Sequence, residues 1–197
     1  RFISNYSSGK MGVAIAALMA RRGAEVTLLK ANTTVDIPQI KNLRVVETLS
    51  ASDMYEAALR EFPSSGIAIF AAAVADYTPS VTSDIKIKHN CDNLVLELSP
   101  TRDIAACMGA IKRSDQITIG FALETNDEVE NARRKLISKN LDAVVLNSLR
   151  DAGAGFGTDT NKITIISDRD QLSFALKNKD QVAQDIVEYI SSLGSKQ

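Results

Sequence analysis

The sequence predicts a doubly wound α/β fold on a mostly parallel sheet, and three observations predict it. Helical and strand-like patterns alternate through the first 147 residues. The run at 67–74 (IAIFAAAV) is apolar on both faces, as a central strand covered by helices on both sides must be. No internal repeat and no linker breaks the alternation, so residues 1–197 read as one domain with right-handed crossovers.

The elements follow in order. Residues 11–22 read as a helix, because Met11, Ala14, Ile15 and Leu18 recur at helical spacing. Ser7 or Ser8 is placed to cap its start, and Gly23 to end it. Residues 24–30 (AEVTLLK) and 43–49 (LRVVETL) are strands. Ser50 with Asp53 makes a capping box, opening a helix to about Phe62. The apolar strand at 67–74 comes next, then two shorter strands at 84–88 and 93–98 around a polar turn. Asp103 starts a helix, and residues 116–122 (QITIGFA) form another buried strand. Thr125 with Glu128 makes a second capping box, for a helix to about Lys139. Residues 142–147 (DAVVLN) are a strand and 151–159 a Gly-rich loop. A terminal hairpin (162–167 and 172–176) precedes a closing helix at 180–193, with Val182, Ile186, Val187 and Ile190 on its inner face.

Composition excludes several classes of function. Lys and Arg number 23 against 24 Asp and Glu, a net charge of −1. No cation excess is left to neutralise a nucleic-acid backbone, although local anion sites stay open. No apolar run reaches membrane-spanning length and no secretory leader is visible, so neither a membrane nor export is expected. Cys91 and Cys107 with a single His and no Cys-x-x-Cys exclude most structural zinc sites. They read as free thiols of a reducing cytoplasm, and no residue is assigned to a metal.

The opening stretch RFISNYSSGKMG admits three readings. A Walker-type phosphate loop needs Gly-x-x-x-x-Gly-Lys-[Ser/Thr]. Ser4 stands where the first Gly should be and Met11 follows the Lys, so the motif fails at both ends. Tyr6 and Lys10 have the Tyr-x-x-x-Lys spacing of nicotinamide-dependent short-chain reductases. That chemistry needs a Gly-rich dinucleotide turn far upstream and little sheet afterwards, whereas nearly a whole α/β domain follows Tyr6. In the third reading SSGKMG joins a loop to a helix start. Free backbone N–H groups and the positive end of the dipole make an anion site there. Gly9 and Gly12 permit close approach, and Arg1 and Lys10 add charge. A well-capped helix with Gly for packing explains this stretch alone equally well.

Further constellations lie downstream. AAAVADY (71–77) follows the most buried strand, so Asp76 and the backbone of Ala72 and Ala73 sit at the edge where parallel sheets bind ligands. Tight packing explains the alanines but not the Asp. In KIKH (86–89), Lys86 and Lys88 share one side of a strand, which favours an anion between them. A lysine-protected edge is the common alternative. Lys135 and Lys139 share a helix face beside the stripe of Val129, Ala132 and Leu136, which suits a phosphate, though a solvated face is commoner. Phe121 is either core or a base-stacking ring, and His89 takes no role.

RFISNYSSGKMG, AAVADY, KIKH, GFALETN and RKLISKNLD occur in an order and spacing that resembles the phosphopantothenate–cysteine ligase domain of coenzyme A biosynthesis. The resemblance spans essentially the whole chain, and SSGKMG and AAVADY are its specific blocks. It implies a two-step ligase. The carboxylate of 4′-phosphopantothenate attacks the α-phosphate of CTP and releases pyrophosphate. The amine of L-cysteine then displaces CMP from the acyl-cytidylate. Mg2+ accompanies the triphosphate.

Roles follow by the same resemblance. Asn5 contacts the acyl intermediate and serves the cysteine step. Arg1 and Ala73 are tied to intermediate turnover and substrate. Ser7, Gly9 and Gly12 cradle phosphate. Asp76, Phe121, Lys135, Lys139, Asn147 and the segment Arg102, Asp103, Ile104 and Ala105 contact the nucleotide. Lys86 is the activating lysine. Relatives often read Lys-x-Lys-Lys where His89 stands here, which leaves Lys86 in place.

The resemblance further implies a Rossmann-like sheet, a homodimer whose contact includes the flap at 82–98, and a first strand with a Gly-Gly-Thr loop upstream of Arg1. In most relatives the chain continues upstream into an FMN-dependent decarboxylase half. CTP is expected over ATP. The competing functions are a reductase using Tyr6 and Lys10 and a non-catalytic nucleotide-binding domain.

Overall fold

The computed structural model describes residues 5, 7–33, 35–83, 85, 94–124, 126–148 and 159–194. Helix α1 (Lys10–Arg21) leads into the parallel pair β1 (Val26–Lys30) and β2 (Leu43–Glu47). Helix α2 (Ala51–Glu61) and a 3-10 turn (Phe62–Ser64) precede β3 (Ile67–Phe70). Next come β4 (Tyr77–Pro79), β5 (Leu98–Pro100), α3 (Ile104–Ala110), β6 (Ile117–Glu124), α4 (Glu128–Ser138) and β7 (Ala143–Ser148). The chain ends with β8 (Thr160–Asn161), β9 (Ile163–Ser167), β10 (Gln171–Ser173), β11 (Lys177–Asn178) and α5 (Lys179–Gly194).

The largest sheet has the order β10-β9-β7-β6-β3, with β3, β6 and β7 parallel and β9 and β10 added antiparallel. Two antiparallel pairs, β4–β5 and β8–β11, stand apart from it. Helices cover both faces, so the doubly wound, mostly parallel fold is as the sequence predicts.

Side chains alternate with period two and divide the core accordingly. Ile117, Ile119 and Val145 face α1 and α5, meeting Ile15, Val182 and Ile186. Ala122, Val144 and Leu146 face the opposite way, onto Ala132 and Leu136 of α4. On that second face Met54, Ala58 and Phe62 join Ile104 and Met108 of α3. Each large aliphatic side chain so covered contributes about 1.5–3 kcal/mol. Among the described residues no helix is long and apolar enough to cross a membrane.

Several local expectations are corrected. The strand at 67–74 stops at Phe70 and forms the edge of the five-stranded sheet rather than its centre. Beyond Phe70 the backbone bonds elsewhere: the Val74 carbonyl accepts from Asn5 and the Ala75 carbonyl from Thr101. Among the described residues the antiparallel flap pairs 77–79 with 98–100, which overlaps the spans expected for it only at Leu98. Of the expected strand at 84–88 only Ile85 is described; Lys86, Lys88 and His89 lie outside the described residues. Neither Ser7 nor Ser8 is the N-cap of α1. Gly9 takes that place at φ 76, and the Ser8 hydroxyl reaches only the Lys10 N–H, at 3.4 Å. Helix α4 starts from Asp127 in a left-handed conformation with no side-chain cap, and Thr125 lies outside the described residues. The Ser50–Asp53 capping box forms as expected.

Candidate functional site

The parallel strands deliver their carboxyl ends to one edge, and several of the predicted residues lie near it. At the start of α1, Gly9 holds φ 76, where a side chain is strained. A Cβ at Gly9 would also lie 2.5 Å from the Thr33 hydroxyl. Thr33 donates that hydroxyl to the Ser8 carbonyl, so the loop after β1 clamps the helix start. Gly12 sits one turn on. A Cβ there would meet only Ala71, at an ordinary 3.7 Å. The first turn of α1 therefore lies beside the segment that leaves β3.

That segment links the next parts of the site. Asn5 donates Nδ2 to the Val74 carbonyl at 3.1 Å. Ala72 and Asp76 are exposed and Ala73 is half-buried. Thr101 fastens the other side, with its hydroxyl on the Ala75 carbonyl at 2.6 Å and its N–H on the Asp76 carbonyl at 2.8 Å. Thr101 immediately follows β5, so the flap carries the chain from Asp76 to the start of α3.

At that start Asp103 does two jobs. One carboxylate oxygen accepts from the Ala106 N–H at 3.0 Å and caps α3. The other is 2.8 Å from the Lys139 ammonium. Burial works to raise the Asp103 pKa, but the hydrogen bonds from Lys139 and the Ala106 N–H outweigh it, and the net shift is downward. Gly109 makes this pairing feasible. A Cβ at Gly109 would strike the Lys139 carbonyl, so α3 and the end of α4 approach as closely as backbone allows. Asn140, in a left-handed conformation, donates to the Gly109 carbonyl at 2.8 Å.

Lys135 lies one turn before Lys139 and donates to the Phe121 carbonyl at 2.5 Å. Burial pushes its pKa down, Lys139 adds to that, and Glu124, Asp103 and Asp76 oppose it. The lysine pair thus belongs to a mixed-charge cluster, not to a solvated helix face. The Phe121 ring packs on the core between the sheet and α1 and α5. Ile104 and Ala105 are buried in the first turn of α3. The Arg102 guanidinium stacks 4.6 Å from the centre of the Tyr55 ring and reaches Glu56 at 3.4 Å.

Asn147 ends up near the carboxyl end of β7, where its Oδ1 accepts from Asn161 at 3.0 Å. Ser7 is half-buried beside the α1 start. Arg1, Tyr6 and Lys86 lie outside the described residues. Lys10 pairs with Asp159 at 2.5 Å. Sequence reasoning missed Thr33, Thr101, Glu124 and Asn161. Only Glu124 had a signal, its place in GFALETN at the end of a buried strand.

The edge offers backbone donors at a glycine-rich helix start, two lysines on one helix face, and carboxylates between them. Such a set holds a polyanion at one end and a hydroxyl- or amine-bearing group at the other. Among the described residues no three His, Cys, Asp or Glu side chains converge as a metal site.

Comparison with known proteins decides the family. The description "DNA/pantothenate metabolism flavoprotein C-terminal domain" matches residues 1–193. The chain belongs to that family. Members of related sequence include the coenzyme A biosynthesis bifunctional protein CoaBC of Bacillus subtilis (strain 168), 42% identical over the whole chain and 48% of that protein. A protein from an unknown prokaryotic organism named cysteine/cysteine sulfinic acid decarboxylase is 52% identical over 98% of the chain and 54% of its own length. The chain thus spans about half the length of these curated relatives. The solved C-terminal domain of a CoaBC protein superposes with a TM-score of 0.83 at 33% identity, covering 100% of the chain and 88% of that structure. The resemblance read from SSGKMG and AAVADY is thereby borne out at the level of the family and its fold.

Proposed function

We propose that the protein joins 4′-phosphopantothenate to L-cysteine through an acyl-cytidylate. The observation that carries this reading is the unbroken chain of contacts Asn5–Val74, Thr101–Asp76 and Asp103–Lys139 at the carboxyl edge of the sheet. It links Asn5, Asp76, Asp103 and Lys139, four of the residues to which the resemblance gives roles.

In the first step a carboxylate oxygen of 4′-phosphopantothenate attacks the α-phosphorus of CTP. The bond to the bridging oxygen breaks and pyrophosphate leaves. The α1 start, Lys135 and Lys139 receive the phosphates, and Lys86 stabilises the charge that builds on them. Mg2+ enters with the triphosphate and lowers its charge. In the second step the neutral amine of cysteine attacks the acyl carbon, CMP leaves and the amine proton passes to solvent. The Asn5 carboxamide is a donor suited to the carbonyl oxygen as its charge grows. Arg1 assists turnover, and Ala73 and Asp76 line the substrate.

CTP is favoured over ATP, and the working form is a dimer. Val81, Ile85, Leu94, Val95 and Leu96 are exposed apolar residues concentrated near the flap. A second copy covering them supplies the burial that an exposed patch of this kind calls for. An upstream FMN-dependent decarboxylase half belongs to the same proposal.

The second reading is a domain that binds a nucleotide without turning it over, inside a protein whose activity is a decarboxylation. The name of the 52%-identical relative favours it. The test is amide formation by the full-length protein from 4′-phosphopantothenate and cysteine, with CTP and ATP in parallel. Phosphopantothenoylcysteine formed with CTP supports the ligase. Nucleotide binding with no amide from either nucleotide supports the second reading.

A further inference from the structure

We infer that Asn161 is a positioning residue, which fixes the end of the Asn147 carboxamide that is turned to the nucleotide. The inference rests on the reading of Asn147 as a nucleotide contact.

A carboxamide has two ends of nearly the same shape and opposite hydrogen-bonding sense. Its orientation decides whether it offers a ligand donors or an acceptor. Two bonds in series determine it here. The Lys162 backbone N–H can only donate, and it donates to Asn161 Oδ1 at 3.0 Å. Asn161 Nδ2 is therefore the end that faces Asn147. A donor there selects Asn147 Oδ1, which accepts it at 3.0 Å. The Asn147 amide nitrogen is left turned away, with no hydrogen bond to the described residues.

The relay is rigid. Asn161 is 4% exposed, so water does not readily replace either bond. Its strand, β8, is paired with β11, where Asn161 lies opposite Lys177. The Asn147 side chain is half-buried near the carboxyl end of β7, beside Leu123 on β6 and Ile163 on β9 in register. A donor end there suits a phosphate oxygen or a base acceptor.

Asn161→Asp inverts the relay at almost constant shape. The carboxylate still accepts from the Lys162 N–H, but its other oxygen now accepts as well. Asn147 turns by half a rotation to donate, and offers Oδ1 to the ligand.

The experiment is a double-mutant cycle on the full-length protein, read by calorimetric titration of CTP and of ATP with magnesium. Folding of each variant is checked by circular dichroism at the same temperature. Asn147→Ala is expected to weaken binding of the accepted nucleotide about tenfold, as the loss of a hydrogen bond to a charged ligand does. Asn161→Asp alone weakens it at least as much. In the Asn147→Ala background Asn161→Asp adds no further loss, because it acts only through Asn147.

If Asn161→Asp does not fold, Asn161→Ala takes its place. It frees the Asn147 amide instead of inverting it, so the loss is smaller, about threefold, and again vanishes on Asn147→Ala. A loss that persists undiminished without Asn147 shows a merely structural role and overturns the inference. So does unchanged affinity on substituting Asn161 while Asn147→Ala still weakens binding. Unchanged affinity in Asn147→Ala itself overturns the nucleotide contact, and the inference with it.

Discussion

Asn5 and Lys135 carry opposite halves of the proposed chemistry, and single substitutions separate them. The Asn5 amide donates to the Val74 carbonyl beside the small-residue segment. Asn5→Asp replaces a donor by an anion, which opposes charge growth on the acyl oxygen. Pyrophosphate release persists in that variant and acyl-CMP accumulates, while amide formation falls by a factor of about a hundred or more, as the loss of an oxyanion donor does. Rapid quench with labelled CTP separates the two. Equal loss of both steps contradicts the assignment.

Lys135 gives a pH signature. In the free protein burial lowers its pKa, with Lys139 adding to the effect. A bound polyanion raises it again. Binding then takes up a proton between the lowered free value and the higher bound value. Nucleotide affinity falls as pH rises through that window. Lys135→Gln weakens binding about tenfold or more and flattens that alkaline slope. A slope unchanged in the variant removes Lys135 from the phosphates.

At the scale of elements, two helical glycines give a contrast that stability alone does not explain. Ala is about 1 kcal/mol better than Gly inside a helix. At Gly12 the new methyl finds an ordinary contact with Ala71, so Gly12→Ala raises the melting temperature of the free protein. It weakens nucleotide binding all the same, because it closes the approach to the α1 start. At Gly109 the methyl meets the Lys139 backbone carbonyl. Overpacking of about 1–3 kcal/mol exceeds the propensity gain there, and the melting temperature falls. Thermal unfolding and nucleotide titration of both variants check this. Gly12→Ala with unaltered affinity reduces that glycine to packing.

The elements also show what the sequence makes legible. The Ser50–Asp53 box is legible because both its bonds span three residues. The start of α4 is not, because it depends on Asp127 adopting a left-handed conformation. Apolar residues on both faces predict that β3 is the most buried strand, but Ala68, Ile69 and Phe70 are only half-buried and Ile67 is exposed, because β3 lies at the sheet's edge, and the pattern says nothing of pairing neighbours. Lys135 and Lys139 are legible as a pair from their spacing. Their partners Phe121 and Asp103 are not, since 14 and 36 residues of chain separate the Lys135–Phe121 and Lys139–Asp103 pairs. Asn161 gave no signal, because its partner lies on another strand.

For the whole molecule, the proposed dimer contact and the site share the flap. Val81 and Val95 are more than four-fifths exposed, and the same flap delivers Thr101 and Asp103 to the site. Paired Val95→Lys and Leu96→Asp substitutions are expected to convert a dimer to a monomer, read by light scattering, with loss of activity. A monomeric parent protein contradicts the dimer. The most direct test of the central claim is pyrophosphate release by the full-length protein given 4′-phosphopantothenate, magnesium and CTP before any cysteine is added, with ATP in parallel. Release that needs the carboxylate substrate and CTP is the predicted result. Folded, dimeric protein that binds CTP yet releases no pyrophosphate, with or without cysteine, contradicts the ligase account.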